Sequence, residues 1–596
     1  MTAAPMPQQQ LPPPPVPTVQ AVPPRSWVER IVREPNAIWM REMRQSARLG
    51  RTPWILFAIT LTISLLMCSI GGLASASQTA PATIGSVLFQ VFFSLAYMVV
   101  TLVGPAVAAN SIASEREGKT WEAVLLTGLT PKNIARGKFM AAYTTIALYI
   151  VVLAPVGALS FLFGGVTAVD VVTAFAFLFL LAALTIAFGL AVSSLMTSLR
   201  AAIVVTLVLA ILIGPVLYGI FGSLCSIGIH ALWNEVPEGS PIWLPLAYSR
   251  AKFGWEYVTF LIALPLLLIA IPAWFLYEVT VSNLTGDADD RSTGLKRWFA
   301  LCTPLLAVVS AIPSLAAPDD DARRTLGIFG MIFFATHLGF SAMLFAFEPP
   351  GPSRRVRIHW DRDRVGFFTR FFGPGLGKSS FLVVVMGFLG IFAMAFAEIA
   401  RIAVSGTSGR ASEYMQQLFF FAMYTAGFFV FMTGLTAWLR SRGNAPWIAR
   451  LIAAAILFLI SAGPWIVAAI GGVLAQKEGW IVAAPSPFYV FYMMSWLDGT
   501  HTAHDMPIVE AGVVCSFVWG LLGLVLLSVA ARKCAVVVAQ HYAAVAQAEA
   551  ALREEVLQAE RARHAAANAP PTDPPAPRND APPAPPAPEP QPTGGG

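Results

Sequence analysis

The sequence predicts an all-α membrane protein, a polytopic helical bundle of about 12 transmembrane helices with both termini in the cytosol. Three observations predict this class: 56% of the 596 residues are hydrophobic, only 12% are charged, and the apolar residues form long continuous runs. Soluble chains carry about 25% charged residues, so most of this chain faces lipid or other apolar helices. The composition excludes a largely disordered chain, and five cysteines are too few for a disulfide-stapled fold.

Each predicted span is a run of roughly 20 apolar residues, the length that crosses the hydrocarbon core as a helix. Because the runs are continuous, they exclude a β-barrel, whose strands alternate over about ten residues. Twelve windows meet the test: 53–73, 84–109, 138–163, 168–195, 200–222, 257–280, 298–316, 326–347, 380–402, 414–438, 447–474 and 509–531. The weakest are 298–316, which holds two prolines, and 200–222, which Gly214-Pro215 interrupts.

The positions of Lys and Arg predict the orientation of the bundle. With a cytosolic N-terminus, 32 of the 39 basic residues fall on the cytosolic side. This distribution agrees with the positive-inside rule. The agreement would be lost if one span in mid-chain had been miscounted. The net charge of +6 therefore requires no nucleic acid as a partner, because topology and anionic membrane lipid explain it.

Outside and between the spans, composition divides the chain into further segments. Residues 1–25 and 568–596 are rich in Pro and predict disordered tails, and the first lacks the apolar region of a signal peptide. Residues 533–567 are rich in Ala with interspersed charges and predict a cytosolic helix. Two membrane regions of six spans each are predicted between the tails, at 53–285 and 286–532.

Residues 26–52 predict an amphipathic helix that lies flat at the cytosolic interface of the membrane. Ile38 and Trp39 belong to an apolar set at helical spacing, and arginines fill the remaining surface. Pro35 is expected to divide this helix into two pieces. The alternative is a merely basic flank of the first span.

Four residues in a long outer loop have the side chains of metal ligands. They are Asp498, His501, His504 and Asp505. Zinc sites use such residues at spacings that a helix or turn fixes. Since no predicted helix fixes the spacing here, we expect no metal site and no cofactor.

Residues 373–379, Gly-Pro-Gly-Leu-Gly-Lys-Ser, partly match a nucleotide-binding loop. Such a loop reads G-x-x-x-x-G-K-[ST] and follows a strand. Here Phe372 stands where the first Gly belongs, and a membrane span follows. We therefore expect a lipid-facing turn. No arrangement of nucleophile and base or of paired carboxylates suggests catalysis, so the chain is not expected to be an enzyme.

The cytosolic connection between spans two and three predicts a short amphipathic helix. Its apolar face, at i, i+3, i+4 and i+8, holds Trp121, Val124, Leu125 and Leu129. Gly118 and Gly128 bound the helix, and Thr130-Pro131 has the pattern of an N-cap and first helical residue. Ser114 and Glu117 have the spacing of a capping box. A helix of this kind can insert into the groove of a partner and move both flanking spans.

This connection resembles the signature of type-2 ABC transporter permeases. In that family the second span ends in a Glu-Arg-x-x-Gly-Thr-type stretch, followed by an apolar helix and a Pro-led helix before Gly-Lys. The matching residues are Glu115, Arg116, Glu117, Gly118, Thr120, Leu125, Leu126, Pro131, Gly137 and Lys138, with Lys119 inserted. Upstream, Asn36, Arg41, Glu42 and Arg44 resemble the family's N-terminal helix, although Pro35 precedes Asn36 instead of following it. The resemblance covers about 26–285.

The resemblance implies the membrane permease subunit of an ABC transporter, in most family members an exporter, which works with a separate ABC ATPase. It leaves open a homodimer or a heterodimer of permeases, and we expect the bacterial cytoplasmic membrane as the location. The residues implied to contact the ATPase through this coupling helix are Glu115, Arg116, Glu117, Gly118, Thr120, Trp121, Leu125, Leu126 and Pro131. Glu115 and Glu117 would pair with basic groups, while Trp121 and Leu125 would fill an apolar groove. The substrate is not indicated.

Two other functions stay open. A secondary transporter driven by an ion gradient places ionisable residues deep in the membrane, and His337 and Glu398 are the candidates, with Glu278 at the cytosolic edge. A non-transporting scaffold would recruit partners through the Pro-rich tails. The second region, 286–532, is either a degenerate second permease half or an unrelated extension.

Overall fold

The computed structural model shows an all-α protein, as the sequence predicts. It describes residues 36–48, 51–76, 80–233, 235–236, 243–316, 320–345, 348–405, 409–443, 445–475, 480–496 and 506–568. Within these ranges there is no β-strand, and twelve helices are long and apolar enough to cross a membrane. The predicted tails, apart from Asn568, and the candidate metal ligands at 498–505 lie outside the described residues.

The first region contains ten α-helices. They are α1 (Ala37–Ala47), α2 (Arg51–Ala76), α3 (Pro81–Glu117), α4 (Trp121–Leu126), α5 (Pro131–Leu162), α6 (Ala168–Leu195), α7 (Leu199–Gly219), α8 (Cys225–Leu232), α9 (Leu244–Ala247) and α10 (Leu264–Leu284). A π-helical segment, Ile220–Leu224, joins α7 to α8, and a second one, Tyr257–Ala263, leads into α10. Spans one to six are α2, α3, α5, α6, α7 with α8, and α10 with its π segment.

The second region contains nine further α-helices within the described residues. They are α11 (Thr293–Ala316), α12 (Asp320–Phe345), α13 (Arg354–Arg362), α14 (Phe367–Phe372), α15 (Leu376–Ser405), α16 (Gly409–Ser441), α17 (Pro446–Ala475), α18 (Tyr489–Trp496) and α19 (Met506–Ala567). Spans seven to twelve are α11, α12, α15, α16, α17 and α19.

All twelve predicted windows fall on these helices, but the predicted interruption at Gly214-Pro215 is wrong. The helix α7 passes through Pro215, and the irregularity comes later, in the π-helical segment Ile220–Leu224. Proline removes one intrahelical hydrogen bond. The carbonyl that loses its donor at Pro215 is that of Ile211, four residues earlier. Beside the proline, the Gly214 carbonyl accepts the Tyr97 hydroxyl at 2.9 Å.

The buried side chains form two large clusters that divide near residue 285. One draws on residues from Ile38 to Leu284 with two from α11, and the other on residues from Ile271 to Met494. The described residues up to Cys534 form one compact unit. Residues 535–567 are helical, as predicted, and mostly exposed.

The two regions are packed differently within the described residues. In the first, α3 packs most extensively against α6, so span two meets span four. In the second, α11 packs most extensively against α15, so the first span of the region meets its third. The second region therefore does not repeat the packing of the first.

Candidate functional site

The helix α3 extends past the predicted end of span two, as far as Glu117. The predicted capping box at Ser114 and Glu117 is therefore wrong, because both residues lie in the last turn of a helix. The Ser114 carbonyl accepts the N–H of Gly118 at 2.9 Å, which closes that turn. The Glu117 carboxylate instead accepts the N–H of Leu199 at 2.6 Å, at the start of α7.

A tight turn connects α3 to the short helix α4. Lys119 has a φ of 55°, in the left-handed region that few residues other than glycine adopt. The N–H of Thr120 donates to the Glu115 carbonyl at 2.9 Å, which folds the chain back onto the end of α3. The inserted Lys119 is thus the residue that reverses the chain before α4.

The predicted start of α5 is confirmed. Thr130 is the N-cap, its hydroxyl accepts the N–H of Asn133 at 3.3 Å, and Pro131 is the first helical residue. Before it, Gly128 has a φ of 72°, a left-handed conformation that glycine adopts readily, and it forms the turn between α4 and α5. The short helix is therefore held by a defined turn at each end.

The side chains of α4 divide into an inner and an outer set. Val124 is buried, and the Trp121 ring is half-buried with the Arg116 guanidinium carbon 5.6 Å from its centroid. Leu125 is exposed, and Leu126 is 87% exposed. Of the predicted apolar face, Trp121, Val124 and Leu129 thus pack inward, whereas Leu125 faces outward beside Leu126.

A buried ammonium group joins three helices beside this connection. The Lys138 side chain, on α5, is 0% exposed. Its Nζ lies 3.0 Å from Glu115 Oε2 on α3 and 3.3 Å from Glu42 Oε1 on α1. It also donates to the Ser111 carbonyl at 2.7 Å. Burying a charge is costly unless it is paired and hydrogen-bonded, and here both conditions are met.

Arg41 completes this group of charges at its outer side. Its guanidinium donates to Glu42 Oε1 at 2.9 Å and to Glu115 Oε1. Burial lowers the pKa of Arg41, but the two carboxylates outweigh it and hold that pKa above its ordinary value. We call Arg41, Glu42, Glu115 and Lys138 the Lys138 cluster; its two cations balance its two carboxylates.

The N-terminal helix α1 is fixed to α5 by further hydrogen bonds. The Asn36 side chain accepts the N–H groups of Ile38 and Trp39, and its Nδ2 donates to the Asn133 carbonyl at 2.8 Å. The Trp39 indole donates to Thr144 Oγ1 at 3.2 Å. Asn36, Trp39, Arg41 and Glu42 therefore all position α1, whereas Arg44 is exposed. That α1 lies at a membrane interface stays a prediction.

Arg116 ties the end of α3 to the end of α6. Its guanidinium donates to the Ser194 carbonyl at 2.7 Å and to the Met196 carbonyl at 3.2 Å. The Asn283 amide, near the end of α10, donates to Ser194 Oγ at 2.8 Å. Sequence reasoning missed Ser194 and Asn283, because neither belongs to a local motif.

Substituting Gly137 with alanine is expected to displace α1. A Cβ at this position would collide with Asn36 Oδ1 and lie 2.6 Å from Ile38 Cβ. Overpacking of this kind costs about 1–3 kcal/mol. We expect trypsin to cleave purified protein after Arg41, Arg44 or Arg48 about tenfold faster, as about 1.4 kcal/mol implies.

The matched control for that substitution is Gly377→Ala in α15, where an added Cβ meets no atom within 4 Å. It should leave cleavage of α1 unchanged. If Gly137→Ala behaved like this control, the close docking of α1 on α5 would be contradicted.

A second buried ammonium group lies at the start of α11. Lys296 is 0% exposed, and its Nζ lies 2.7 Å from Glu348 Oε2 and 2.6 Å from the Gly373 carbonyl. Glu348 Oε2 also accepts the N–H of Gly375 at 2.9 Å and the hydroxyl of Ser379. Burial raises the pKa of Glu348, and Lys296 opposes that shift. We call Lys296, Glu348 and Ser379, with the backbone of Gly373 and Gly375, the Lys296 cluster.

The expectation of a lipid-facing turn at 373–379 is therefore wrong. Residues 373–376 are buried, because the backbone and Ser379 turn inward to bind the Glu348 carboxylate. Lys378 points away, donating to the Arg370 carbonyl at 2.9 Å and lying over the Trp360 ring. The glycine-rich segment thus binds an anion, and that anion is the chain's own carboxylate.

The three ionisable residues considered for an ion-gradient transporter each have their own, different neighbours. His337 lies among Phe299, Phe334 and Trp298, with its Nε2 3.1 Å from Thr303 Oγ1. Glu398 is fully buried and accepts the Ser314 hydroxyl. Glu278 accepts the Trp274 indole N–H at 3.2 Å. Across the described residues, no group of three or more His, Cys, Asp and Glu side chains is placed to hold a metal ion.

The twelve long apolar helices of the described residues define the chain as an integral membrane protein of the all-α class. No protein-family model matches the chain, and no curated protein sequence matches it.

Proposed function

We propose that the protein is the permease subunit of an ABC transporter, an exporter of the type-2 kind, which couples ATP hydrolysis by a separate ATPase subunit to substrate movement across the membrane. One observation carries the proposal. The helix α4 presents Glu122, Leu125 and Leu126 outward, between two membrane-spanning helices. Exposed leucines on a short, fixed helix beside a carboxylate suit the groove of a partner protein.

The contacts of α4 explain how movement of an ATPase would reach the spans. Thr120 binds α4 to the end of α3, and Gly128 with Thr130 leads directly into α5. The Lys138 cluster connects α1 to α3 and α5, and Arg116 connects α6 to the end of α3. A displacement of α4 would therefore move four helices together, which is the kind of packing change that drives alternating states.

The structure also suggests a division of roles among the residues of the resembling motif. Glu115 is nearly buried and pairs with Arg41 and Lys138, and Glu117 accepts the N–H of Leu199. We therefore propose that these carboxylates support α4 from within the chain, while Leu125 and Leu126 meet the ATPase. It stays a prediction that an ATPase also touches Glu115, Arg116, Glu117, Gly118, Thr120, Trp121 or Pro131.

Substituting Leu126 with aspartate is expected to release the ATPase. Loss of a central apolar contact costs about 2 kcal/mol or more, which corresponds to roughly 30-fold weaker binding. The measurement is recovery, with the tagged permease from its native membranes, of a polypeptide photolabelled by 8-azido-ATP, together with vanadate-sensitive ATPase activity.

A control with the same chemistry is Leu557→Asp, at an exposed leucine of the α19 extension. It should recover the labelled polypeptide as the unmodified chain does. Full recovery with Leu126→Asp would contradict the role given to α4. A neighbouring reading frame that encodes a soluble protein with an intact nucleotide-binding loop would support the proposal independently.

An ion-gradient transporter is the second candidate, and the observation that favours it is the fully buried Glu398 beside Ser314. Uptake or efflux that vanadate abolishes and ionophores leave unchanged would support the ATP-driven function. The opposite sensitivities would support Glu398-dependent transport.

A further inference from the structure

The connection between α12 and α15 exposes large aromatic side chains. Its two helices are α13 and α14, and α14 has no buried residue. Phe367 is 76% exposed and the adjacent Phe368 is 78% exposed. Neighbouring phenylalanines exposed on one short helix form an apolar patch, and such patches mark contacts with membranes or partners.

The aromatic patch continues onto the surface of a membrane-crossing helix. The rings of Phe367 and Phe371 are stacked with centroids 6.4 Å apart, and the ring of Phe371 meets that of Phe381 edge-on at 6.2 Å. Phe381 is the first large apolar residue on the outer surface of α15 and is 60% exposed. Because α15 is long and apolar enough to cross the membrane, this row of rings joins α14 to a helix surface that would face lipid.

The same connection is strongly basic beside the aromatic patch. Residues 354–372 contain six arginines and two aspartates. Asp361 pairs with Arg370 at 3.1 Å, and Asp363 Oδ2 lies 3.0 Å from His359 Nδ1, so the arginines of this segment outnumber its carboxylates by four. Arg362 and Arg364, immediately before the phenylalanines, are exposed. The exposed charge next to the patch is therefore positive.

Arg370 fixes the two helices to each other. Its guanidinium donates to the Val365 carbonyl and to the Trp360 carbonyl, each at 3.0 Å. Trp360 is buried, and Gly373 packs so closely against its ring that a Cβ there would collide with it. These contacts therefore fix the spacing between the phenylalanines of α14 and two arginines, Arg362 at the end of α13 and Arg364 in the turn that follows.

We propose that α13 and α14 form a binding surface for anionic phospholipids of the leaflet in which span nine begins. Phe367 and Phe368 enter the boundary between acyl chains and headgroups, and Arg362 and Arg364 bind the headgroup phosphates. Apolar rings at this depth with arginines above them are the arrangement of interfacial membrane-binding helices. The inference does not depend on the proposed transport function.

The depth of the phenylalanines is tested with a spin label on the full-length protein in vesicles. A nitroxide is attached to Phe368→Cys in a chain carrying Cys68→Ser, since Cys68 is the exposed cysteine of the described residues. In vesicles containing phosphatidylglycerol, the label should be relaxed more by oxygen than by a soluble nickel chelate. A label at Leu552→Cys, exposed on α19, should show the reverse. Nickel-dominated relaxation at position 368 would overturn the proposal.

The charge preference is tested by counting phosphatidylglycerol molecules bound to the purified protein by native mass spectrometry. A basic residue near an anionic surface contributes about 1 kcal/mol, which is about fivefold in affinity. The pair Arg362→Gln and Arg364→Gln should therefore weaken binding by roughly 30-fold. Arg561→Gln with Arg563→Gln, exposed on α19, should leave binding unchanged. Equal binding of phosphatidylcholine, or undiminished binding of phosphatidylglycerol to the first pair, would overturn the proposal.

Discussion

Replacing Lys138 with methionine is expected to lower the free energy of unfolding by about 3–5 kcal/mol, the usual cost of removing one partner of a buried ion pair. The substitution leaves the carboxylates of Glu42 and Glu115 with Arg41 as their remaining cation. It also removes the bond to the Ser111 carbonyl. The measurement is chemical or thermal unfolding of the purified protein in detergent, with trypsin cleavage of α1 as a local readout.

Two comparisons separate the pair from a general effect of the substitution. Lys132→Met changes an exposed lysine on the same helix and should leave stability unchanged within about 0.5 kcal/mol. The double variant Lys138→Met with Glu115→Gln should be more stable than Lys138→Met alone, because it removes one of two carboxylates that would otherwise share Arg41 as their single cation. A Lys138→Met protein as stable as the unmodified chain would show that the cluster is not a structural pair.

Replacing Lys296 with methionine should cost a similar amount, about 3–5 kcal/mol, and the loss should depend on pH. Burial raises the pKa of Glu348, and Lys296 is the main group that opposes this. A carboxyl whose pKa is raised on folding stabilises the protein below its unfolded pKa and loses that contribution as the pH rises through the folded value. The destabilisation by Lys296→Met should therefore be greatest at high pH and shrink as the pH falls toward the ordinary Glu value of 4.5.

The test is the unfolding midpoint of the variant at several pH values, relative to the unmodified chain. Arg297→Met, at the next and exposed position, is the matched control and should be neutral at every pH. Adding Glu348→Gln to Lys296→Met should abolish the pH dependence. A pH-independent loss in the single variant would contradict the assigned ion pair.

The spans were predictable because hydropathy over about 20 residues reports burial in lipid directly. The ends of the spans were not predictable, since the point where a helix ends depends on contacts with residues distant in sequence. Span two was expected to end near residue 109, yet α3 continues to Glu117 because its last polar turns face Lys138 and Leu199. Likewise, Pro215 signals a break locally, but the helix continues through it.

Within the candidate site, patterns of neighbouring residues predicted local structure correctly, but they did not predict ion pairs between residues distant in sequence. Thr130-Pro131 was predicted correctly because an N-cap depends on neighbours in sequence. The pairing of Glu115 with Lys138 and of Glu348 with Gly375 joins residues that no local pattern connects. The glycine-rich run at 373–379 was compared with a nucleotide loop, but its partner is a carboxylate at the end of another span.

Because one buried ammonium ties α1, α3 and α5 together, these helices are expected to turn as a rigid body. A torque applied at α4 would then not be absorbed by bending at its joints. Bending of the first region is therefore expected outside these three helices. The π-helical segments Ile220–Leu224 and Tyr257–Ala263 are candidates, because they interrupt the regular hydrogen bonding of spans five and six. We expect the bundle to bend at these two segments when a force on α4 moves α1, α3 and α5 together.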